Sequence, residues 1–277
     1  MLRRPIRFLV LLAVAGSALA AGAATETVEP AELRYTMHFG GFHVADLHFE
    51  QERSAERYAA GIRIRTAGLA DMVLRYKGTA AVDGVLLDDG LLRPERYGFR
   101  YKSRKSRRVV EVDYDPADSR ATRVRSEKRG KPDRVEVPEE LWQEVLDPLS
   151  AVLMLREEVR ERAGEPGSFR TGVFDGRRRY ELAATIARPT VSGRDGMATV
   201  EVAATIRPIA GFDPDDMTER EQREGYRIQA QFTEGPQALP LEIRTLNTRA
   251  IVVIRLAGCS GGTACATADA ERGRRSG

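Results

Sequence analysis

Cysteine is scarce in this sequence, and so are the motifs by which many enzymes are recognised. Only two of the 277 residues are cysteines, Cys259 and Cys265, which are too few for a disulfide framework. The sequence contains no G-x-S-x-G elbow, no phosphate-binding P-loop, no dinucleotide-binding fingerprint and no H-E-x-x-H helix. A hydrolase is therefore the least favoured class of function, and we predict that no cofactor is bound.

Long hydrophobic runs are missing as well, except near the N-terminus. Arg3, Arg4 and Arg7 precede an apolar run at 8–16, and small residues with A-x-A spacing follow it. This order is typical of a cleavable signal peptide, whereas a membrane-spanning helix needs about 20 apolar residues. We therefore predict that residues 1–24 direct export. The mature protein is then soluble and periplasmic, or extracellular if it is secreted further.

Net charge is low once the predicted signal peptide is removed. The whole chain has a formal charge of +3, and residues 1–24 hold three arginines and no acid, which leaves 3 − 3 = 0. A neutral chain is not a general nucleic-acid binder, so we predict no nucleic-acid partner. One stretch is nevertheless basic, and it forms either a solvated strand face or a rim that meets anionic head groups or glycans. The residues of this predicted basic rim are Arg100, Lys102, Arg104, Lys105, Arg107 and Arg108.

Apolar and polar residues alternate with a period of two through most of the remaining chain. Such alternation predicts strands that bury one face and expose the other, as in antiparallel sheets. Gly40 and Gly41 are placed for a two-residue hairpin turn, and an extra residue near Ala45-Asp46 is expected to form a β-bulge. A later strand is predicted to begin at Leu74. The fold class is therefore mainly β and antiparallel.

One principal helix, at about 147–163, is predicted to interrupt the strands. Asp147 is a favourable N-cap, and Pro148 suits the first helical position. The predicted apolar stripe of this helix comprises Leu149, Val152, Leu155 and Val159. No linker divides the chain, so 25–257 is predicted to be a single β-rich domain. Residues 258–277 are mostly small or charged and are predicted to be disordered. Whether their two cysteines form a disulfide is left undecided by the sequence.

Five stretches of the sequence form a recognisable set. They are LRYTMHFGGFHVADLHFE (33–50), GLADMVLRYKG (68–78), LLRPERYGFRYKSRKSRRVVEVDYD (91–115), DPLSAVLMLR (147–156) and FDGRRRYEL (174–182). Together they resemble the exported bacterial proteins grouped as domain-of-unknown-function family 3108. The resemblance covers about 33–255, and its more specific parts are the DPLS helix start and the DGRRRYEL strand. It implies a curved sheet or partly open β-barrel with a helix packed on it, and it implies no established activity.

A curved sheet of this size encloses an apolar concavity. Alternation turns one set of residues toward it, and these are the candidate ligand-binding residues: Tyr35, Met37, Phe39, Tyr76, Phe99, Tyr101, Tyr180 and Tyr226. They either fill a core or bind a lipid-like or other apolar ligand, as the mouths of β-barrels often do. The alternative function is an envelope interaction or scaffolding protein that uses the basic face. The predicted partners are therefore a lipid or an envelope polymer, with peripheral contact to a membrane.

The three histidines of the chain lie close together in the sequence. His38 and His43 are expected to face each other across the hairpin with Cβ atoms about 5 Å apart. His48 is about 16 Å along the strand from His43 and is too distant to share an ion. Zinc sites need three or four protein ligands, and no acid or cysteine is placed to complete one. We therefore predict no metal site, with His38 and His43 as the nearest approach to one.

Overall fold

The computed structural model describes most of the chain that follows the N-terminal segment. The described residues are 28–129, 131–132, 137–191, 198–212, 218–246 and 251–261. The predicted signal peptide and residues 262–277 of the predicted tail lie outside these ranges. None of the helices within them has the length and apolar character of a membrane span.

Strands make up most of the described chain. They are β1 (Val28–Phe39), β2 (Phe42–Arg53), β3 (Arg57–Thr66), β4 (Lys77–Leu86), β5 (Leu92–Lys102), β6 (Arg107–Asp115), β7 (Arg120–Lys128), β8 (Lys131–Pro132), β9 (Val145–Leu146), β10 (Gly167–Phe174), β11 (Arg179–Ile186), β12 (Thr190–Val191), β13 (Ala198–Ala210), β14 (Tyr226–Thr233), β15 (Pro240–Leu246) and β16 (Ile251–Ser260). The helices in the same ranges are α1 (Gly68–Leu74), α2 (Pro148–Glu161) and α3 (Glu219–Glu224), and a 3₁₀ turn covers Glu139–Leu141.

These strands form one sheet that curves into a nearly closed barrel. Its order is β8-β7-β6-β5-β4-β3-β2-β1-β16-β15-β14-β13-β11-β10-β9, and β12 pairs with β13 beside this path. Neighbours are antiparallel, except β9 and β10. The ring closes where the Ala121 amide donates to the Trp142 carbonyl at 3.0 Å and the Val145 amide donates to the Ser119 carbonyl at 2.9 Å. The predicted fold class, a mainly β and barrel-like sheet with a packed helix, is confirmed.

The first hairpin has the geometry that the sequence predicts. Gly40 and Gly41 have φ angles of 56° and 88°, which glycine adopts without steric cost. Met37 pairs with Ala45, whereas His38 pairs with His43, so one residue of β2 has no opposite partner. This β-bulge lies next to the predicted position. We call the end of the barrel that carries this turn the hairpin end.

Helix α2 lies inside the ring and connects the two halves of the core. Leu149 and Leu153 pack in a cluster with inward residues of β3 to β6, and Leu155 and Val159 pack in a second cluster with inward residues of β10 to β14. Full burial of each such side chain stabilises the fold by about 1.5–3 kcal/mol. The sheet therefore cannot collapse flat without losing its contacts with this helix.

The start of α2 is confirmed, but its predicted apolar stripe is partly wrong. The Asp147 carboxylate accepts hydrogen bonds from the amides of Leu149 at 2.8 Å and Ser150 at 3.2 Å, and Pro148 follows it. Val152, in contrast, is 46% exposed. The helix packs on two sides of the ring, and Val152 lies between these two contact faces, on the same stripe as Arg156.

Helix α1 replaces the first residues of a predicted strand. The predicted strand from Leu74 begins only at Lys77, and residues 68–74 form a short helix with no buried residue. Arg75 ends the helix in the left-handed conformation, with φ of 45°. Alternation of Leu74 and Tyr76 concealed this break, because a two-residue period cannot show where a chain leaves the sheet.

The predicted boundary of the disordered tail is also wrong. Strand β16 continues to Ser260, and Leu33 on β1 pairs with Cys259. Cys259 is buried against Leu33 and Tyr35, and it is disulfide-bonded. Small residues at 258–260 carry little propensity of their own, so the strand is held by its backbone bonds to β1. The rest of the predicted tail lies outside the described residues.

Candidate functional site

The inward faces of the strands are closed at one end of the barrel and open at the other. On β1, Leu33 and Tyr35 are buried, Met37 is half-buried and Phe39 is 50% exposed. The same trend holds on β3, β5, β13 and β14, whose inward residues nearest the hairpin end are half-buried: Ile64, Tyr101, Ile206 and Tyr226. The barrel interior is thus packed at one end, and its apolar inward residues are partly exposed at the hairpin end. We call this partly exposed inner surface the concavity.

Helix α2 borders the concavity without filling it. Val152 lies one turn before Arg156, so the two side chains share a stripe of the helix. Arg156 reaches the inner face of β2, where its Nη1 donates to Gln51 Oε1 at 2.7 Å. Val152 is nearer the hairpin end, and it is exposed although its stripe faces the sheet. Val152 is thus an apolar side chain that the described strands leave uncovered, one turn from the contact of Arg156 with β2.

Three of the predicted aromatic residues form a group on one side of the concavity. The rings of Tyr76 and Tyr101 stack with their centroids 5.4 Å apart, and Phe99 lies 5.8 Å from Tyr101. All three are half-buried. Part of the surface of each side chain therefore remains exposed.

Two more predicted residues form a second group across the ring. Tyr180 and Tyr226 each lie 6.4 Å from the ring of Phe212, measured between centroids. The Arg178 guanidinium lies 5.1 Å above the same ring. Phe212 was missed by the sequence analysis because it follows β13 and so has no place in the alternation.

Tyr35 differs from the other predicted residues. It packs with Leu33, Leu47 and Leu239 in the closed core, and burial raises the pKa of its phenol while the charge of Arg156 opposes this shift. Tyr35 is therefore a core residue, whereas Met37 and Phe39 of the same strand face the open part.

Five residues of the predicted basic rim lie on the surface, whereas the sixth, Arg108, does not. Arg100, Lys102, Arg104, Lys105 and Arg107 are exposed. Arg108 is buried, because it shares the inward face of β6 with Val110. There it pairs in register with Tyr101. The hydrogen bond between Tyr101 and Ser106 and then that with Arg108, together with the charge of Arg108, lower the pKa of Tyr101, although burial opposes the shift.

The histidine pair forms as predicted. His38 and His43 are opposite each other with ring centroids 5.6 Å apart. His43 Nε2 lies 2.9 Å from Asp46 Oδ1, and both residues are close to half exposed. Among the described residues there is no group of three or more potential ligands that could hold a metal ion. The described residues therefore give no support for metal binding at the histidine pair.

A separate groove of about 610 Å³ crosses the outer face of β2 to β6. Its floor contains Gly61, Ala81 and Gly98, which pair in register across three strands. Charged side chains form its walls, and several neutralise each other, as Arg123 does with Asp113 at 2.6 Å. The groove is therefore polar and mostly self-paired, unlike the concavity.

Known proteins resemble this chain at two levels, in their fold and in their family. A crystal structure of a beta-barrel-like protein of domain of unknown function DUF1849 from Brucella abortus is similar, with 12% identity and a TM-score of 0.53, over 86% of this chain and 99% of that chain. At this identity the similarity shows a shared barrel-like fold and nothing about activity. A family model described as "Protein of unknown function (DUF3108)" matches residues 34–231, so the chain belongs to that family, as the sequence resemblance predicted. Comparison with curated proteins found no match.

Proposed function

We propose that this is an exported cell-envelope protein that binds a lipid-like ligand in the concavity. The observation that carries the proposal is the change in burial along the inward strand faces. Residues such as Tyr35 are fully packed, whereas Met37, Ile64 and Tyr226 face the same interior and remain partly exposed. Covering such apolar surface is worth about 25 cal/mol per Å², so an apolar ligand has a clear gain there.

The chemistry of the concavity fits an acyl chain with a small anionic group. Each buried CH₂ group contributes about 0.8 kcal/mol. Tyr76, Tyr101 and Tyr226 combine an apolar ring with a hydroxyl group that can meet a polar ligand atom. Arg108 adds a positive charge on the inner face beside Tyr101. A fatty acid or a lysophospholipid has this combination.

Displacement of a fluorescent fatty acid tests the proposal. We expect saturable binding at micromolar concentration, near −8 kcal/mol. Val152→Trp enlarges this uncovered side chain of α2 and should weaken binding at least about tenfold, which is about 1.4 kcal/mol. Val191→Trp is the matched control, because Val191 is also exposed, at 73%, but lies on β12 outside the concavity. Unchanged binding by Val152→Trp would show that the ligand lies elsewhere.

The alternative, an envelope interaction or scaffolding role, is favoured by the outer groove and the basic residue Arg100 that lines it. Sedimentation with purified cell-wall polymer tests it. Arg100→Ser should then release the protein from the polymer and leave fatty-acid displacement unchanged. Polymer binding without fatty-acid displacement would support this alternative over the carrier.

Export is the remaining part of the proposal, and it is supported by the positive, apolar and small-residue segments of 1–24. Intact-mass measurement of the periplasmic protein should show a first residue between Ala21 and Thr25. Periplasmic protein that retains Met1 would contradict the signal-peptide interpretation.

A further inference from the structure

Several large apolar side chains are exposed together at the hairpin end. Phe42, in the first turn, is 75% exposed, and Leu69 and Met72 of α1 are 76% and 68% exposed. We name this surface the apolar tip, and its residues are Phe39, Phe42, Leu69, Met72, Val73 and Leu74. Soluble monomers rarely expose a contiguous apolar patch of this kind without a binding function.

The apolar tip is held in place by backbone and side-chain hydrogen bonds. The Ala67 amide donates to the Val44 carbonyl at 2.9 Å, which fixes the start of α1 against β2. The Arg104 amide donates to the Leu74 carbonyl at 3.0 Å, and Arg104 Nη2 donates to the Met72 carbonyl at 2.9 Å. The helix is therefore anchored at both ends while its apolar side chains point outward, with no buried residue among them.

Positive charge surrounds the apolar tip. Arg75, Lys102, Arg104, Lys105 and Arg107 are exposed near it, and no carboxylate of the described residues lies within 4.0 Å of their charged groups. Several exposed arginines elsewhere on the barrel are ion-paired. Arg57, for example, lies 2.6 Å from Glu95.

We infer that the hairpin end is a docking surface for an anionic phospholipid bilayer. The apolar side chains of α1 and the hairpin turn enter the interface, and the surrounding cations meet lipid phosphates. A protein partner would have to supply both an apolar pocket and several carboxylates. An anionic membrane supplies apolar acyl chains and negatively charged phosphates over its whole surface. The concavity lies at the same end, so in a docked protein it would face the bilayer. Docking itself depends only on this surface, and it does not require that the concavity hold a ligand.

Vesicle flotation with purified protein tests the inference. We expect binding to vesicles that contain about one-third phosphatidylglycerol in phosphatidylcholine, little binding to pure phosphatidylcholine, and a marked loss at about 1 M salt, where the Debye length is about 3 Å. Met72→Glu should lower the partition coefficient at least about tenfold. Lys105→Ser combined with Arg107→Ser should lower it about 25-fold, at about fivefold for each charge.

Matched controls come from the opposite end of the barrel. Val191→Glu changes an equally exposed apolar residue on β12, and Arg120→Ser combined with Arg188→Ser removes two exposed cations. Both controls should bind vesicles within about twofold of the wild type. Equal losses in the tip variants and the controls, or no wild-type binding to anionic vesicles, would overturn the inference. So would a wild-type dimer that Met72→Glu converts to a monomer, since the tip would then cover a second copy.

Two further measurements separate this inference from the proposed function. Val73→Trp should gain fluorescence that brominated lipids quench, whereas the added fluorescence of Val191→Trp should not be quenched. Fatty-acid displacement should be unchanged in Met72→Glu. Vesicle binding without displacement would refute the carrier alone, and displacement without vesicle binding would refute docking alone.

Discussion

The buried carboxyl group of Asp147 makes the stability of the protein depend on pH, and one substitution tests this. Asp147 is fully buried and accepts bonds from two backbone amides and from the Ser150 hydroxyl, which also lies 2.6 Å from the Tyr58 hydroxyl. Burial raises the pKa of Asp147 from 3.8 to about 6, although these hydrogen bonds oppose the shift. In the folded protein the desolvation of the charge therefore outweighs the hydrogen bonds.

The magnitude follows from proton linkage. Because the folded-state pKa of Asp147 exceeds the unfolded-state value, the folded protein binds this proton more tightly. The stabilisation is fully present below pH 3.8 and is lost as the pH rises through about 6. At 1.36 kcal/mol per pH unit, the loss is about 3 kcal/mol.

Asp147→Asn should remove this pH dependence while it keeps the cap. The amide oxygen can still accept from the amides of Leu149 and Ser150, and the side chain cannot ionise. The difference in the free energy of unfolding, variant minus wild type, should therefore increase by about 2–3 kcal/mol as the pH rises from about 4 to about 7.5.

Urea denaturation followed by Trp142 fluorescence measures this difference. Trp142 is the only tryptophan, and its ring stacks on Phe174 in the core with centroids 5.5 Å apart. Asp88→Asn removes an exposed carboxylate and controls for the change in net charge. Parallel pH profiles for the wild type and Asp147→Asn would refute the reasoning.

Three further predictions concern the stability of the fold. Gly84→Ala should lower the free energy of unfolding by about 1–3 kcal/mol, because its Cβ would lie 2.2 Å from the Arg93 carbonyl oxygen. Gly98→Ala, with no atom within 4 Å, should change it by less than about 0.5 kcal/mol in the same urea titration. Thr218→Ala removes the capping box of α3 and should cost about 1 kcal/mol, and unchanged amide exchange in that helix would contradict this. Deletion of all residues after Ala257 should lower the free energy of unfolding by about 1–3 kcal/mol, because it removes the last residues of β16 and a buried cysteine. A melting temperature equal to that of the full chain would show that these residues contribute nothing.

Local signals in the sequence were sufficient for much of the fold. Two glycines in succession require a turn that tolerates positive φ, and Asp147 with Pro148 marks a helix start, so both features were predicted at the correct residues. Alternation also identified most of the strands and the inward aromatic residues. These predictions depend on only a few neighbouring residues, which is why one sequence can support them.

Other features were wrong or missed because distant parts of the chain determine them. The last residues of β16 are a strand only because β1 provides backbone partners for them. Arg108 belongs to the inner face by its position on β6, although its charge suggested the rim. Helix α1 has few residues and no buried face, so its sequence contains no helical periodicity that would predict it.

The sequence by itself determined that the chain forms an antiparallel β structure with one capped helix, since period, turn residues and caps act over short distances. Only the tertiary structure decided which inward residues are buried and which remain open. Tyr35 and Met37 occupy equivalent positions two residues apart on one strand face, yet one is packed and the other half-exposed. The difference arises from where α2 and the facing strands lie, and exposure of this kind depends on atoms that are far away in the sequence.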